Sequence, residues 1–244
     1  MSDLKQHIAS AFDRDLEGIQ ARILKMGGLV EEAILDAAKS LETRDEELAG
    51  KVVKGDKSID ALDEELNDEA ARLIALRQPA ASDLRVVLAV MRMSSNLERI
   101  GDLSKNMAKR TGVLAQLTQI NGSTAALRRM ARDVELMLKD ALDAYIRRDE
   151  ALALDVIDRD REVDQMYNTL FREFLTFMLE DPRNITSCMH LHFIAKNVER
   201  MGDHVTAIAE EVVFLATGTK PHGVRVKEDR TSSDPALSAD IGME

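Results

Sequence analysis

The chain has 244 residues, of which 45% are hydrophobic and 3% aromatic, and its formal net charge at pH 7 is −11. This size allows one large domain or two small ones, and the scarcity of aromatic residues beside abundant Ala, Leu, Glu and Arg favours helices over strands. The acidic balance, with Lys and Arg interleaved among the acids, argues against direct binding to nucleic acid, whose phosphates repel such a surface.

Three features of the sequence favour a cytoplasmic location. The single cysteine, Cys188, cannot form an internal disulfide, which is typical of a reducing compartment. Residues 1–10 carry charged side chains and lack the apolar segment of a signal peptide. The longest apolar run, residues 86–91, is too short to span a bilayer, so we expect contact with a membrane only through protein partners.

Three helices are predicted in the first half of the chain. Apolar residues recur at three-to-four spacing up to a break at residues 43–44, which predicts one long helix. Asp45 can cap a second helix, and the Gln-Pro pair at residues 78–79 stops it. A third helix is predicted from about residue 82 to about residue 117.

The second half repeats this order of signals. The Asn-Gly-Ser sequence at residues 121–123 is a linker and cap, and it precedes a fourth helix over residues 124–147. Asp149 can cap a fifth helix, which the Asp-Pro pair at residues 181–182 stops. A sixth helix is predicted over residues 184–217.

The two halves align as an internal repeat. A shift of 104 residues places residues 44–46 on residues 148–150, and a shift of 101 places residues 96–102 on residues 197–203. Short turns make each half an antiparallel three-helix bundle, so we predict an all-α fold of two tandem three-helix bundles. The predicted units are residues 1–120 for the first bundle, residues 121–218 for the second and residues 219–244 for a polar, disordered tail.

Each half carries two pairs of acids at i,i+4, a spacing that places both members on one helix face, where like charges destabilise a helix by a few tenths of a kcal/mol. Asp60 lies 18 residues before Gln78, and at about 1.5 Å per residue this is nearly the height that Glu98 reaches on the next helix. The repeated acids are Asp56, Asp60, Glu98 and Asp102 in the first half and Asp160, Asp164, Glu199 and Asp203 in the second.

Four carboxylates at one height repel one another unless some are protonated or a cation joins them. Their oxygen atoms suit Mg²⁺, Ca²⁺, Mn²⁺ or iron, and zinc is disfavoured because no Cys or His recurs in both halves. The alternative is an ordinary solvated acidic face, in which Lys105 balances Glu98 and Asp102 while Lys57 balances Asp60. The residues alone leave both interpretations open.

Two pairs of motifs resemble the repeat signatures of the PhoU family. Residues 77–85 read RQPAASDLR and are followed at residues 96–102 by NLERIGD, as in the first repeat of that family. Residues 178–183 read MLEDPR and are followed at residues 197–203 by NVERMGD, as in its second repeat. The resemblance covers about residues 5–217, which is all of the chain but its two ends.

The resemblance implies a fold of two similar three-helix bundles and a regulator that represses the phosphate-starvation response when phosphate is plentiful. Such a protein acts through the phosphate ABC transporter, on the side of its ATPase subunit, and through a sensor histidine kinase. The resemblance also implies metal binding, with Mn, Mg or Fe expected, through Glu/Asp-x-x-x-Asp pairs that fall on the eight acids named above. Asn96 and Asn197 would support these ligands. We expect no enzyme active site, and we expect a homodimer.

A di-metal carboxylate enzyme of the ferritin-like class is the competing hypothesis, because carboxylates on antiparallel helices are typical of that class. Such enzymes use Glu-x-x-His ligand pairs from the helices of a four-helix bundle. The sequence contains no Glu-x-x-His pair, and a three-helix bundle has no fourth helix to enclose the metals.

Overall fold

In the computed structural model the chain folds into six long α-helices, and the structure describes the backbone of residues 2–221 and the side chains of residues 14–221. The helices are α1 (Ser2–Thr43), α2 (Glu46–Arg77), α3 (Ala81–Ala115), α4 (Ser123–Arg147), α5 (Glu150–Glu180) and α6 (Ile185–Thr217), with one 3-10 turn at Pro182–Asn184. No strand occurs among the described residues, and the predicted all-α fold of two three-helix repeats is confirmed.

Most of the predicted tail, residues 222–244, lies outside the described part of the chain. No helix in the described part is long and apolar enough to cross a membrane.

The joint between α1 and α2 and the joint between α4 and α5 have the same backbone conformation. Arg44 and Arg148 both adopt the left-handed conformation at φ 54°, which ends α1 and α4. Asp45 and Asp149 follow, and each carboxylate accepts a hydrogen bond from the backbone N–H three residues further on, at 2.9 and 3.0 Å. The two caps predicted from the sequence are therefore confirmed, because they depend only on local chemistry.

The helix α3 ends at Ala115, slightly earlier than the sequence pattern predicts. The Arg44 guanidinium donates to the backbone carbonyls of Ala115 and Leu117 at 3.3 Å each. A side chain from the α1–α2 joint therefore satisfies carbonyls that the end of a helix leaves without a partner.

The two repeats share one apolar core to which all six helices contribute. The repeats pack through α1 against α4 and α3 against α6, while α2 contacts only the helices of its own repeat, as α5 does apart from the 3-10 turn. Both contacts between the repeats are antiparallel, because Glu42 pairs with Arg128 and Arg92 pairs with Glu211. The four helices α1, α3, α4 and α6 thus form the centre of the molecule, and α2 and α5 lie on its outside.

Polar side chains also join the repeats along α3 and α6. Arg92 lies 3.2 Å from Glu211, whose buried carboxylate also accepts from Lys220 at 2.6 Å. The side-chain oxygen of Asn96 lies 2.9 Å from His204 Nδ1, and its amide nitrogen donates to the Arg92 carbonyl at 2.8 Å. Asn96 therefore bonds within α3 and across to α6, whereas the resemblance implied a contact with the acid pairs.

Candidate functional site

In the first repeat, α2 carries Asp56 and Asp60, and the facing helix α3 carries Glu98 and Asp102. The ammonium group of Lys105 donates to the carboxylates of both Asp56 and Asp102, the second at 2.5 Å. Asp56 is 4% exposed, so its charge is held largely away from water. Lys105 thereby acts as a positive ion between α2 and α3.

The same surroundings change the pKa values of the other two carboxylates of the first repeat, those of Asp60 and Glu98. Burial raises the pKa of Asp60, the Asp56 carboxylate raises it further, and Lys105 opposes both effects. Burial also raises the pKa of Glu98, where Arg99 lowers it and Asp102, Asp63 and Asp60 add to the rise. The four predicted ligands therefore lie close enough to interact electrostatically, as the spacing of the sequence indicates.

The carboxylates of Asp102 and Asp56 also change the pKa of Lys105. Burial alone would lower the pKa of its ammonium group, but the hydrogen bonds to Asp102 and Asp56 outweigh burial and raise the pKa well above its usual value. Lys57 is exposed and forms no ion pair with Asp60 among the described side chains. Of the two pairings in the alternative interpretation, that of Lys57 with Asp60 is therefore not formed, whereas that of Lys105 with Asp102 is formed and extends to Asp56.

Two glycines set the distance between the helices that carry the acids. A Cβ atom on Gly101 would lie 3.1 Å from Ile59 and 3.6 Å from Asp56 Oδ1. A Cβ atom on Gly202 would lie 2.9 Å from Asp160 Oδ1, closer than real Cβ contacts come. Gly202 therefore makes room for Asp160 in the second repeat, whereas in the first repeat Gly101 makes room for the Ile59 side chain.

The acids of the second repeat are more deeply buried than those of the first. Asp160, Asp164 and Glu199 are 3%, 2% and 2% exposed, and Asp203 is half-buried. Lys196 contacts Glu199 at 2.9 Å, and its ammonium group lies 4.9 Å from the centre of the Tyr167 ring. In both repeats a lysine thus pairs with a buried acid, Lys105 with Asp56 in the first and Lys196 with Glu199 in the second.

Two residues of this environment do not recur in the second repeat: Lys105, which the sequence analysis placed beside Glu98 and Asp102, and Asp63, which sequence reasoning missed. Lys105 corresponds to Thr206 at the shift of 101, and the Thr206 hydroxyl donates to the Gly202 carbonyl at 3.0 Å. Asp63 corresponds to Tyr167 at the shift of 104, and it accepts from the Ser94 hydroxyl at 2.6 Å. Selecting acids by their repetition excludes Asp63, although its spacing of three from Asp60 places it on the same helix face.

The donor chemistry of these clusters fits a hard cation, because all eight side chains offer carboxylate oxygen. In the first repeat the buried Oδ1 of Asp56 has no hydrogen-bond donor, while Oδ2 accepts from Lys105. Within residues 14–221, no three His, Cys, Asp or Glu side chains converge as they stand on a common point suited to a metal. A metal would therefore require these carboxylates to turn, and in the first repeat it would compete with Lys105.

We expect Asp60→Asn to stabilise the metal-free protein at pH 7 by a few tenths of a kcal/mol, because burial and the neighbouring Asp56 carboxylate disfavour the Asp60 charge and Lys105 offsets only part of their effect. The pKa of Asp60 is raised in the folded state, so the folded protein holds this proton more tightly than the unfolded chain. The gain should therefore shrink as the pH falls through the raised pKa of Asp60, and it should vanish below the ordinary pKa of aspartate, about 3.9, where Asp60 is protonated in both states.

Urea unfolding in a chelating buffer at pH 7 and pH 4.5 measures this difference. Asp158→Asn is the control, since Asp158 pairs with Arg161 at 3.2 Å and its neutralisation should bring no gain. Equal stability of the Asp60→Asn variant and the native protein at pH 7 would contradict the electrostatic account.

The remaining reactive side chain, Cys188, has the environment of a structural residue. It is fully buried, and burial raises the pKa of its thiol. A buried thiol of raised pKa does not suit nucleophilic chemistry, which depends on the thiolate.

Comparison with known proteins gives the same family as the sequence motifs over most of the chain. The family model described as the PhoU domain matches twice, over residues 23–111 and residues 127–212. A phosphate-specific transport system accessory protein PhoU homologue of Rhizobium meliloti is 44% identical over 93% of this chain and 96% of that protein. The homologue of Zymomonas mobilis is 47% identical over 91% of this chain and 94% of its own. These names describe accessory proteins, not enzymes.

Solved structures agree with the fold. The crystal structure of PhoU from Pseudomonas aeruginosa matches with a TM-score of 0.83 and 38% identity, over 85% of this chain and all of that one. The phosphate transport system regulatory protein PhoU from Streptococcus pneumoniae matches with a TM-score of 0.80 and 30% identity, over 86% and 99% of the two chains. With two family domains and relatives of this identity over nearly its whole length, the chain belongs to the PhoU family.

Proposed function

We propose that this protein is a negative regulator of the phosphate-starvation response and of phosphate uptake. It acts as a cytoplasmic adaptor between the phosphate ABC transporter and its sensor histidine kinase. The observation that carries the proposal is the likeness to phosphate-specific transport system accessory proteins over more than nine tenths of the chain. Binding of the adaptor biases the kinase towards its phosphatase state when phosphate is plentiful.

The face of α6 near its start supports binding to a partner helix. Ile185, Met189 and Phe193 are spaced by four residues and are 46%, 39% and 45% exposed. This spacing places them on one face of the helix, and such apolar anchors are what an amphipathic helix of a partner binds. The Arg110 guanidinium lies 4.7 Å from the centre of the Phe193 ring, which holds that ring in place at the edge of the face.

Co-purification with the transporter ATPase subunit and with the cytosolic part of the kinase, with and without Mn²⁺, tests the adaptor function. We expect Ile185→Lys with Met189→Lys to weaken binding at least tenfold, because two charges would lie in the apolar contact. Leu136→Lys, at a 38% exposed leucine of α4, is the control and should bind normally. Failure of the native protein to bind either partner would refute the adaptor proposal.

We also propose that each repeat holds a metal ion, with Mn, Mg or Fe as the class, on the carboxylates of its two facing helices. When bound, such an ion supplies positive charge that neutralises the acids and joins α2 to α3 or α5 to α6. The oxygen-only donor set supports the proposal, since these are the ligands of hard cations. The acidic side chains provide the negative charge, and the helices hold these side chains in position.

Calorimetric titration with Mn²⁺ tests the metal sites. We expect Glu98→Ala with Asp102→Ala to abolish binding in the first repeat only, leaving about half of the native stoichiometry and an unchanged helical circular dichroism. Glu65→Ala with Asp68→Ala is the matched control, because both acids are exposed on α2. An unchanged stoichiometry in the first variant would refute the site.

Sedimentation equilibrium with and without Mn²⁺ tests the predicted homodimer.

A further inference from the structure

A cavity of about 450 Å³ lies between residues 14–22 of α1 and the last turns of α2, away from the repeated acids. Arginine side chains dominate its charge, with Arg14 and Arg22 on α1 and Arg72 and Arg77 on α2. Four guanidinium groups around one cavity are unusual in a chain whose formal net charge is −11. We propose that this cavity binds a small molecule through a phosphate group that it carries.

The cavity retains positive charge after its internal ion pairs are counted. Arg22 pairs with Glu69 at 2.8 Å, and Arg77 pairs with Asp15 at 3.2 Å. These are the two acids among the described residues of the lining, and neither Arg14 nor Arg72 forms an ion pair with a described side chain. Two guanidinium groups on facing helices are therefore available to an anion that enters between them.

The helices hold the arginines in fixed relation to one another. Arg14, Gly18 and Arg22 lie at spacings of four on one face of α1. A Cβ atom on Gly18 would lie 3.3 Å from the Arg22 guanidinium, so glycine leaves that group the space it occupies. A planar guanidinium presents parallel N–H donors that match the oxygens of a phosphate, which favours phosphate over chloride or a single carbonyl.

Apolar side chains line the rest of the cavity and indicate what else the ligand carries. Ile19 and Leu73 are buried in its floor, and Leu76 stands 67% exposed in its wall. Inorganic phosphate would contact little of this surface. The volume also falls in the range of sites for small organic ligands, so an organic phosphate with an apolar or aromatic body fits better.

The second repeat lacks the arginine cluster, because the cavity of about 430 Å³ between α4 and α5 is lined by one arginine, Arg129, and by the acids Asp133, Glu162 and Glu173. The helix α1 has 42 residues and α4 only 25, and the shift of 104 places residues 14–18 on residues 118–122 between α3 and α4. The arginine cavity is therefore a property of the first repeat alone. It does not depend on metal in the carboxylate clusters or on the partner face of α6.

Calorimetric titration of the full chain at constant ionic strength tests the proposal with inorganic phosphate, phenyl phosphate, AMP and adenosine as probes. We expect AMP or phenyl phosphate to bind more tightly than inorganic phosphate, and adenosine, which lacks phosphate, to bind at least tenfold more weakly than AMP. Tightest binding of inorganic phosphate would keep the phosphate site and identify the free ion as its ligand.

Arg14→Gln with Arg72→Gln should weaken the tightest of these probes at least tenfold, because both changes are on exposed side chains and remove only charge. Arg132→Gln with Arg147→Gln makes the same charge change on exposed arginines of α4 and should have no effect. The proposal is overturned if no phosphate-bearing probe binds, if adenosine binds as tightly as AMP, or if both double variants weaken binding equally. Circular dichroism checks that each variant is folded.

Discussion

Lys105→Met should destabilise the metal-free protein by about 3 kcal/mol, because it leaves a buried carboxylate without its positive partner. Asp56 is 4% exposed and Lys105 joins it to Asp102, so removal of the ammonium group affects two acids at once. Urea unfolding in a chelating buffer at pH 7 measures the effect.

Two further variants test this explanation. Lys109→Met, at an exposed lysine one turn further along α3, should change stability by less than about 0.5 kcal/mol. Lys105→Met combined with Asp56→Asn should recover most of the loss, since the double variant buries no unpaired charge. Equal stabilities of the two lysine variants would show that Lys105 contributes no more than a surface charge. If a metal binds here, Lys105→Met should also tighten Mn²⁺ binding in the first repeat, because the competing cation is gone.

Gly202→Val should destabilise the protein by about 2 kcal/mol, because overpacking of a close helix contact forces neighbouring groups to move. A Cβ atom at this position would lie 2.9 Å from Asp160 Oδ1 and 3.5 Å from Val163, and Asp160 is buried. The better helix propensity of valine offsets only a few tenths of a kcal/mol of this cost. The midpoint of thermal unfolding provides the measurement.

Gly55→Val is the matched control for this change. Gly55 lies in the interior of α2, and a Cβ atom there meets no atom within 4 Å. The control variant should therefore be as stable as the native protein or slightly more stable, because glycine is a poor helix former. If Gly202→Val unfolds at the same temperature as Gly55→Val, the close approach of α6 to α5 does not constrain the glycine.

Most helix boundaries could be predicted from the sequence because local chemistry determines them. Asp45 and Asp149 cap their helices through their own side chains, and the prolines at residues 79 and 182 remove a backbone donor whatever the rest of the fold does. The end of α3 is different, since Arg44 reaches it from another part of the chain. No local pattern contains that contact.

In the candidate metal sites, too, local sequence patterns predict the positions of the acids but not the contacts between distant parts of the chain. Helical periodicity and the duplicated acids place Asp60 and Glu98 on facing helices at a similar height, and the structure brings them within electrostatic range. The partner of Asp56 could not be predicted in this way, because Lys105 lies 49 residues away and has no counterpart in the second repeat. The sequence placed Lys105 beside Glu98 and Asp102 on its own helix, and a flexible lysine also bonds the acid of α2 that the packing of α2 on α3 brings near it.

The shared core has a consequence for how the chain could be divided. Each repeat covers the apolar faces of the other through the α1–α4 and α3–α6 contacts, so neither repeat presents a water-compatible surface by itself. A chain cleaved between α3 and α4 should yield two fragments that recombine into one non-covalent complementation pair. A repeat expressed alone should instead associate with a second copy of itself, as expected if the present protein arose by fusion of two identical subunits.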